Sequence, residues 1–294
     1  MSAAASEPRS GLRLGFILAL APFLLWVVLL VIIPHINLFI LSLHETIGPR
    51  AFRIGAGNYL DLFSERIYVD VLLRTVSFAV VATALTLLVA FPVAYYIAKI
   101  ARGRLRTLLS LACLLPFWVS ELVRVFGWMM LLRETGLISR ALVWSGLLAH
   151  PVELLYNDAA VMLGLVYAAV LFMIVPLIST LDTLDDSLVE AGYDLGGNGF
   201  AVLRSIIIPH AMPGIIAGCI IVFMMDLGSY ITPTLLGGKN SQWFTAQIYA
   251  QFITRFNWEA GSAFGFVLLA TSSLVVWLAL RLSGQSLSRT LGRG

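Results

Sequence analysis

Apolar residues in this chain gather in long continuous runs instead of alternating with polar ones. A helix needs about 20 apolar residues to cross the hydrocarbon core of a bilayer. Six runs reach or exceed that length: Leu14 to Ile33, Val71 to Ala98, Leu105 to Leu132, Ala159 to Ile178, Pro213 to Leu235 and Gly261 to Leu280. A membrane β-barrel would show segments of about ten residues alternating with period two. The pattern therefore predicts an all-α, polytopic membrane protein with six transmembrane helices. The first run is long for a signal peptide and lacks an A-x-A-like exit before Pro34, so it reads as a retained span.

The links carry the remaining signal. The first, about 34–70, is turn-rich (Gly48-Pro49, Gly55, Gly57), with a short helix predicted over Asn58 to Phe63 at the membrane interface. A second, Arg133 to Asp158, reads as irregular. In a third, Gly237 to Ala260, Phe244, Ile248 and Phe252 recur every fourth residue beside Trp243, which predicts an amphipathic helix too short to span. It serves either as an interfacial aromatic belt or as a helix bordering an outer gate.

The longest cytoplasmic link runs over about 181–209. Asp186 or Ser187 is placed to cap a helix with apolar positions Leu188, Ala191 and Leu195. Gly196, Gly197 and Gly199 around Asn198 break it, because glycine and asparagine tolerate positive φ. A second short helix with Phe200, Leu203, Ile206 and Ile207 follows, and Pro209 resets the backbone at the entrance of the fifth span. Two helices with a bend between them form a surface suited to docking on a partner.

Charge fixes the expected topology. Hydrophobic residues make up 60% of the 294 and charged residues only 12%, against about a quarter in soluble domains. Arg9 and Arg13 precede the first span, Lys99, Arg102, Arg104 and Arg106 fill the short second link, and Arg281, Arg289 and Arg293 follow the last span. The positive-inside rule puts all three clusters, and both termini, in the cytoplasm. The organisation is then a cytoplasmic tail (1–13), one transmembrane domain (14–282) and a second cytoplasmic tail (283–294). The basic excess points to the lipid bilayer and not to nucleic acid. The 181–209 link is the exception, with Asp182, Asp185, Asp186, Glu190 and Asp194 against Arg204, but acidic residues weigh little in that rule.

Catalytic and metal chemistry find no support. Cys113 and Cys219 lie singly in apolar runs, and His35, His44, His150 and His210 are scattered. Gly237-Gly238-Lys239 lacks the spacing of a phosphate-binding loop. No catalytic residue, no metal site and no bound cofactor are expected.

The loop residues resemble the signature of the membrane-spanning permease of binding-protein-dependent ABC importers: EAA, three residues, glycine, then an apolar stretch with LP. Glu190, Ala191 and Gly192 hold the EAA positions, with glycine for the second alanine. Gly196 falls on the signature glycine, Ile208-Pro209 stands where leucine-proline is usual, and Pro213-Gly214-Ile215 completes a common continuation. Asn58-Tyr59 with Leu62-Phe63, Phe91 to Tyr95, Leu115 to Arg124, Tyr230 to Gly238 and Asn257-Trp258 look like the spermidine/putrescine-type subfamily. The resemblance covers nearly everything after the first span. It departs at Ser229, where an acidic residue often precedes the aromatic.

That resemblance implies a multi-pass subunit of the bacterial cytoplasmic (inner) membrane. Its implied partners are a second, usually different permease, two ATPase subunits that consume ATP with magnesium, and an extracytoplasmic substrate-binding protein. The coupling role maps onto Glu190, Ala191, Gly192, Asp194, Leu195, Gly196, Gly197, Phe200 and Pro209. A polyamine is the implied substrate, with opines, ferric iron or another small solute as alternatives. An ion-coupled secondary transporter is the rival class; it would favour inverted repeats, and none is visible.

Ionisable groups inside a membrane are functional candidates by default. Glu121 and Arg124, at i and i+3, are placed to pair on one helix face, beside Trp118 and Trp128. Asp226 has no basic neighbour one turn away. It either takes part in the pathway near Tyr230 or pairs across helices, Arg124 being one candidate partner.

Overall fold

A computed structural model describes residues 19–48, 51–238 and 241–282. The two tails with Arg9, Arg13, Arg289 and Arg293, the start of the first run, Pro49 and Lys239 lie outside the described residues. In chain order the elements are α1 (Ala19–Ser42), β1 (His44–Gly48), β2 (Ala51–Ile54), α2 (Gly57–Ser64), α3 (Arg66–Ile100), α4 (Gly103–Trp118), α5 (Glu121–Leu132), α6 (Leu137–Trp144), α7 (Asp158–Leu181), α8 (Asp186–Asp194), α9 (Gly199–Leu227), α10 (Ile231–Leu236), α11 (Phe244–Tyr249) and α12 (Trp258–Leu282). Among the described residues, five helices are long and apolar enough to cross a bilayer: α1, α3, α7, α9 and α12. Residues 103–144 make a sixth only if two segments bent by 93° count as one span.

Two expected helix ends are overridden. Pro34 and Pro209 both lie inside continuous helix, so the first span runs on to Ser42 and the fifth begins at Gly199. A proline removes one N–H and clashes with the carbonyl four residues back. Here a wider π turn comes just before each proline, Val28–Ile32 and Leu203–Ile207, with Ile33 and Ile208 donating to the carbonyls of Val28 and Leu203. The i→i−5 spacing makes room for the ring, and the backbone is not reset.

Two apolar runs, conversely, are broken. In the third, Pro116 sits in a tight 3₁₀ turn, and Val119 and Ser120 are extended (ψ 131° and 142°) before α5 starts at Glu121. In the fifth, α9 stops at Leu227 with Gly228 as its cap, and Tyr230 (φ −120°) precedes the separate α10. Hydropathy records composition, which does not change at these points; the backbone does.

The chain divides into two compact units. In the first, residues up to Ser64 combine with Ile248–Val267. The link after α1, expected to be turn-rich before the short helix, contains an antiparallel hairpin with Glu45 opposite Arg53. The Glu45 carboxylate accepts from the Gly57 N–H at 2.5 Å and pairs with Arg53 at 2.8 Å. These two contacts, the first the stronger, hold its pKa below the ordinary glutamate value. Any side chain at Gly57 would place its Cβ 2.7 Å from that carboxylate. Asn58 Nδ2 donates to the Ser42 and His44 carbonyls, and the Tyr59 hydroxyl bonds Ser42 Oγ at 2.7 Å, tying α2 to the end of α1. Phe39 meets Phe266, and Phe252 meets Trp258, edge to face.

The second unit, Glu65–Gln247 with the chain from Leu268 onward, centres on α3, α7 and α9. Helices in lipid associate through close packing of small residues, and these follow that rule. Ala90 and Ala94 of α3, Ala169, Met173 and Leu177 of α7, and Ala211 and Val222 of α9 form one buried cluster. Gly218 of α9 leaves only 2.6 Å for a Cβ beside Met173 Sδ. A second cluster gathers Val125, Leu155, Val161, Leu165, Leu236 and Trp243. Trp243 and Phe244 are fully buried, and Trp243 meets Phe78 edge to face at 6.0 Å. The interfacial-belt expectation for Trp243 is thus replaced by a core position. Burying a large ring against Phe78 and the α7 aliphatics removes far more apolar area from solvent than a belt position would. The link over 133–158 is also more regular than expected, since α6 occupies part of it.

Candidate functional site

The 181–209 link folds as a rigid elbow. Asp185, one residue before the expected caps, accepts the Ser187 N–H at 3.0 Å and starts α8. The Ser187 amide and then its hydroxyl, helped by Lys99, hold the Asp185 carboxyl below its usual range. A depressed pKa means the cap is intact at neutral pH and is lost only as pH falls through that lowered value. Glycine then terminates α8. Gly196 adopts φ +84°, its N–H donates to the Tyr193 carbonyl, and the Gly197 N–H reaches back to the Gly192 carbonyl at 3.1 Å. This is the Schellman closure of a helix end. Asn198 Oδ1 accepts the Ala201 N–H at 2.8 Å and starts α9 at once. Every residue of the bend is thus fixed by a backbone hydrogen bond or a cap.

Gly192, the departure from the usual second alanine, has a local cause. A Cβ there would lie 2.6 Å from Ile206 Cδ1 and 3.3 Å from Val202 Cγ2. The two arms of the elbow close on each other through this glycine, with Val189, Val202, Leu203 and Ile206 packed into the main core. The apolar positions expected on α8 face outward. Leu188 and Ala191 are exposed, Leu195 is 89% exposed, and the inward face is Val189 with Gly192. The second arm is no separate helix either: Leu203, Ile206 and Ile207 continue directly into the fifth span. Tyr193 and Phe200 are exposed too, Phe200 by 70%. These side chains leave an apolar patch open on a polar link. Glu190 and Asp194 lie beside it, also exposed. Pro209 is exposed within α9, on the membrane side of the bend.

Two cations reach the elbow's base. Lys99, in the last turn of α3 and 11% exposed at its side chain, donates to the Leu184 carbonyl and pairs with Asp186 at 2.9 Å. Arg106 of α4 pairs with Asp182 at 2.5 Å. Sequence reasoning treats these cations only as topology markers. The acid-rich composition of the facing link is the signal that could have located the pairs.

The intramembrane candidates are partly brought together. The breaks before α5 and α10 meet: Thr232 Oγ1, fully buried, donates to Glu121 Oε1 at 3.2 Å. Tyr230 caps α10 two residues before Thr232. Trp128 packs edge to face on Tyr167 at 5.4 Å. Trp118 stands apart, 83% exposed before the bend. The expected Glu121–Arg124 pair does not form among the described residues. Glu121 is the first residue of α5, where its carboxylate is drawn to the helix N-terminus and takes the Thr232 hydroxyl instead. Arg124 Nε and the Oδ2 of Asp226, a residue only 2% exposed, are buried without hydrogen-bond partners among the described residues. Nor does Asp226 form an ion pair with Arg124 or another cation there.

Residues 86–289 match the family described as binding-protein-dependent transport system inner membrane component, and the chain belongs to that family, among its spermidine/putrescine-type members. It is 34% identical over 258 residues to the spermidine/putrescine transport system permease protein PotB of Haemophilus influenzae, covering 87% of this chain and 90% of that one. The PotB of Escherichia coli is 33% identical over 264 residues, covering 87% and 94%. The fold matches a chain of a bacterial alginate ABC transporter, solved with an alginate-bound periplasmic protein, at a TM-score of 0.71 over 94% of both chains and 19% identity. At that identity the likeness speaks for the fold alone.

Proposed function

We propose that this chain is one of two permease subunits of a polyamine importer, that partner ATPases seat the α8–α9 elbow, and that a substrate-binding protein docks on the opposite side. The carrying observation is the elbow itself, capped at both helix starts, closed by Gly192 and Gly196, and presenting Leu188, Tyr193, Leu195 and Phe200 outward. Such a body transmits displacement, where a slack link would absorb it. The 103–144 segment is the sixth span in this reading, both termini are cytoplasmic, and the membrane is the bacterial inner membrane. ATP and magnesium belong to the partner ATPases, whose cycle rocks α7 and α9. Polyamine is favoured over other solutes by the identity to the two PotB permeases.

Glu121, Arg124, Trp118, Trp128, Tyr230 and Asp226 line or border the pathway. Buried polar atoms are nearly always satisfied in folded proteins, so the orphaned Arg124 and Asp226 atoms single these two residues out among the candidates. Asp226→Asn keeps shape and removes the ionisable group. In vesicles containing the whole complex it is expected to lower polycation uptake about tenfold, or roughly 1.4 kcal/mol, with the complex recovered at wild-type yield. Loss of the complex instead would assign Asp226 to assembly. Uptake that persists with the proton gradient collapsed and stops without ATP separates this reading from ion-coupled transport.

A further inference from the structure

The elbow is joined to α7 through a short connection, 182–185, and packs on α9 through Gly192, Val202 and Ile206. Apolar packing also carries the elbow into the core cluster that it shares with α3, but those contacts do not tie the base of the elbow to the α3–α4 connection. We infer that Lys99 and Arg106 are coupling residues, an ionic latch through which the elbow also moves α3 and α4. This inference rests on the reading of the elbow as the ATPase-coupling element.

Three observations carry it. First, the two cations flank the tight connection between α3 and α4 and both reach the base of the elbow. Lys99 grips the Leu184 carbonyl and Asp186, and Arg106 grips Asp182. The latch thus brackets the start of α8 and ties it to the end of one membrane helix and the beginning of the next. Second, Lys99 is largely buried and makes two charge-assisted bonds. Such bonds are short and strong relative to neutral ones, whereas an exposed surface pair contributes about 0–1 kcal/mol. Third, topology alone does not require these pairs. Arg102 and Arg104 of the same cluster are exposed and make no ion pair among the described residues. The positive-inside rule asks only for cations near the membrane. Two of the four are engaged with the acidic residues that make this link anomalous in charge, which gives Asp182 and Asp186 a purpose that topology did not supply.

The test uses the complete complex reconstituted in lipid vesicles, reading ATP hydrolysed per solute imported. Lys99→Met combined with Arg106→Gln is expected to raise that ratio about fivefold or more, the low end of an allosteric coupling free energy. An unchanged ratio overturns the latch. Because charge loss can also weaken assembly, a reciprocal variant tests the pair independently. Arg106→Asp alone disrupts either recovery or coupling, and adding Asp182→Arg restores both if the pair is the latch. Failure of the swap to restore either one overturns it. A Gly196→Val control in parallel separates the two readings. If that variant and Glu190→Ala both leave the ratio unchanged, the elbow itself is not the coupling element; if it uncouples while the Lys99 and Arg106 variants do not, only the latch falls.

Discussion

Gly196→Val is expected to turn productive hydrolysis into futile hydrolysis, lowering solute imported per ATP by about tenfold or more, within the range of allosteric couplings. The substitution isolates the backbone. Gly196 holds φ +84°, and a Cβ there would meet nothing within 4 Å. No steric neighbour among the described residues, and no lost side chain, can therefore account for an effect. What changes is the cost of the left-handed conformation, roughly 1–2 kcal/mol for an ordinary L-residue and worse for a β-branched one. The Schellman closure loosens, the hydrogen bonds from Gly196 and Gly197 weaken, and the two arms lose their fixed angle. Gly196→Asn is the matched control, since asparagine tolerates this region, and it should keep most of the coupling. Glu190→Ala tests the same surface without touching the backbone and should also weaken coupling. Normal uptake per ATP in both Gly196→Val and Glu190→Ala would dismiss the coupling role of the elbow.

Gly214→Val should remove the folded permease altogether. Gly214 lies on α9 against α7, where a Cβ would come 2.5 Å from the Pro176 carbonyl and closer still to Thr180 Oγ1. Replacing a helical glycine usually gains up to about 1 kcal/mol of helix propensity. Overpacking costs about 1–3 kcal/mol when neighbours can shift. Here one neighbour is a main-chain oxygen held in a membrane helix, so the clash outweighs the gain. Even Gly214→Ala should lower the thermal midpoint of the purified complex, and Gly214→Val should abolish its recovery. Adding Thr180→Ala should rescue Gly214→Ala in part only, because the Pro176 carbonyl stays. A midpoint raised by Gly214→Ala would show that α7 and α9 are not in close apposition.

Much of this architecture is legible in the sequence, and what escapes it has a common cause. Span positions follow from hydropathy, because lipid leaves a helix few alternatives. The elbow follows from Gly196 and Asn198, whose backbone freedom is local. What escapes depends on how backbone registers and faces are settled by neighbours. Pro34 and Pro209 read as helix ends because a π turn has no sequence signal of its own. Leu188, Ala191 and Leu195 read as one apolar stripe, but periodicity identifies a face without saying which way it looks. The inward face is instead set by Gly192, which is small enough for Ile206 to approach. The hairpin at residues 44–54 depends on Glu45 reaching Gly57, a contact with no local pattern. Glu121 and Arg124 satisfy a spacing rule, but Thr232, 111 positions further on, takes the carboxylate.

The bends before Glu121 and after Leu227 have one more implication. Peptide groups released from a helical ladder cannot be left facing acyl chains, where each unmet donor or acceptor costs several kcal/mol. Val119 and Ser120 are uncovered in the single chain. On the reading of residues 103–144 as a span, that stretch must abut another polypeptide or border a hydrated vestibule. The least costly place for such a vestibule is where two interrupted helices already touch, so solvent entering beside Thr232 would wet both interruptions at once.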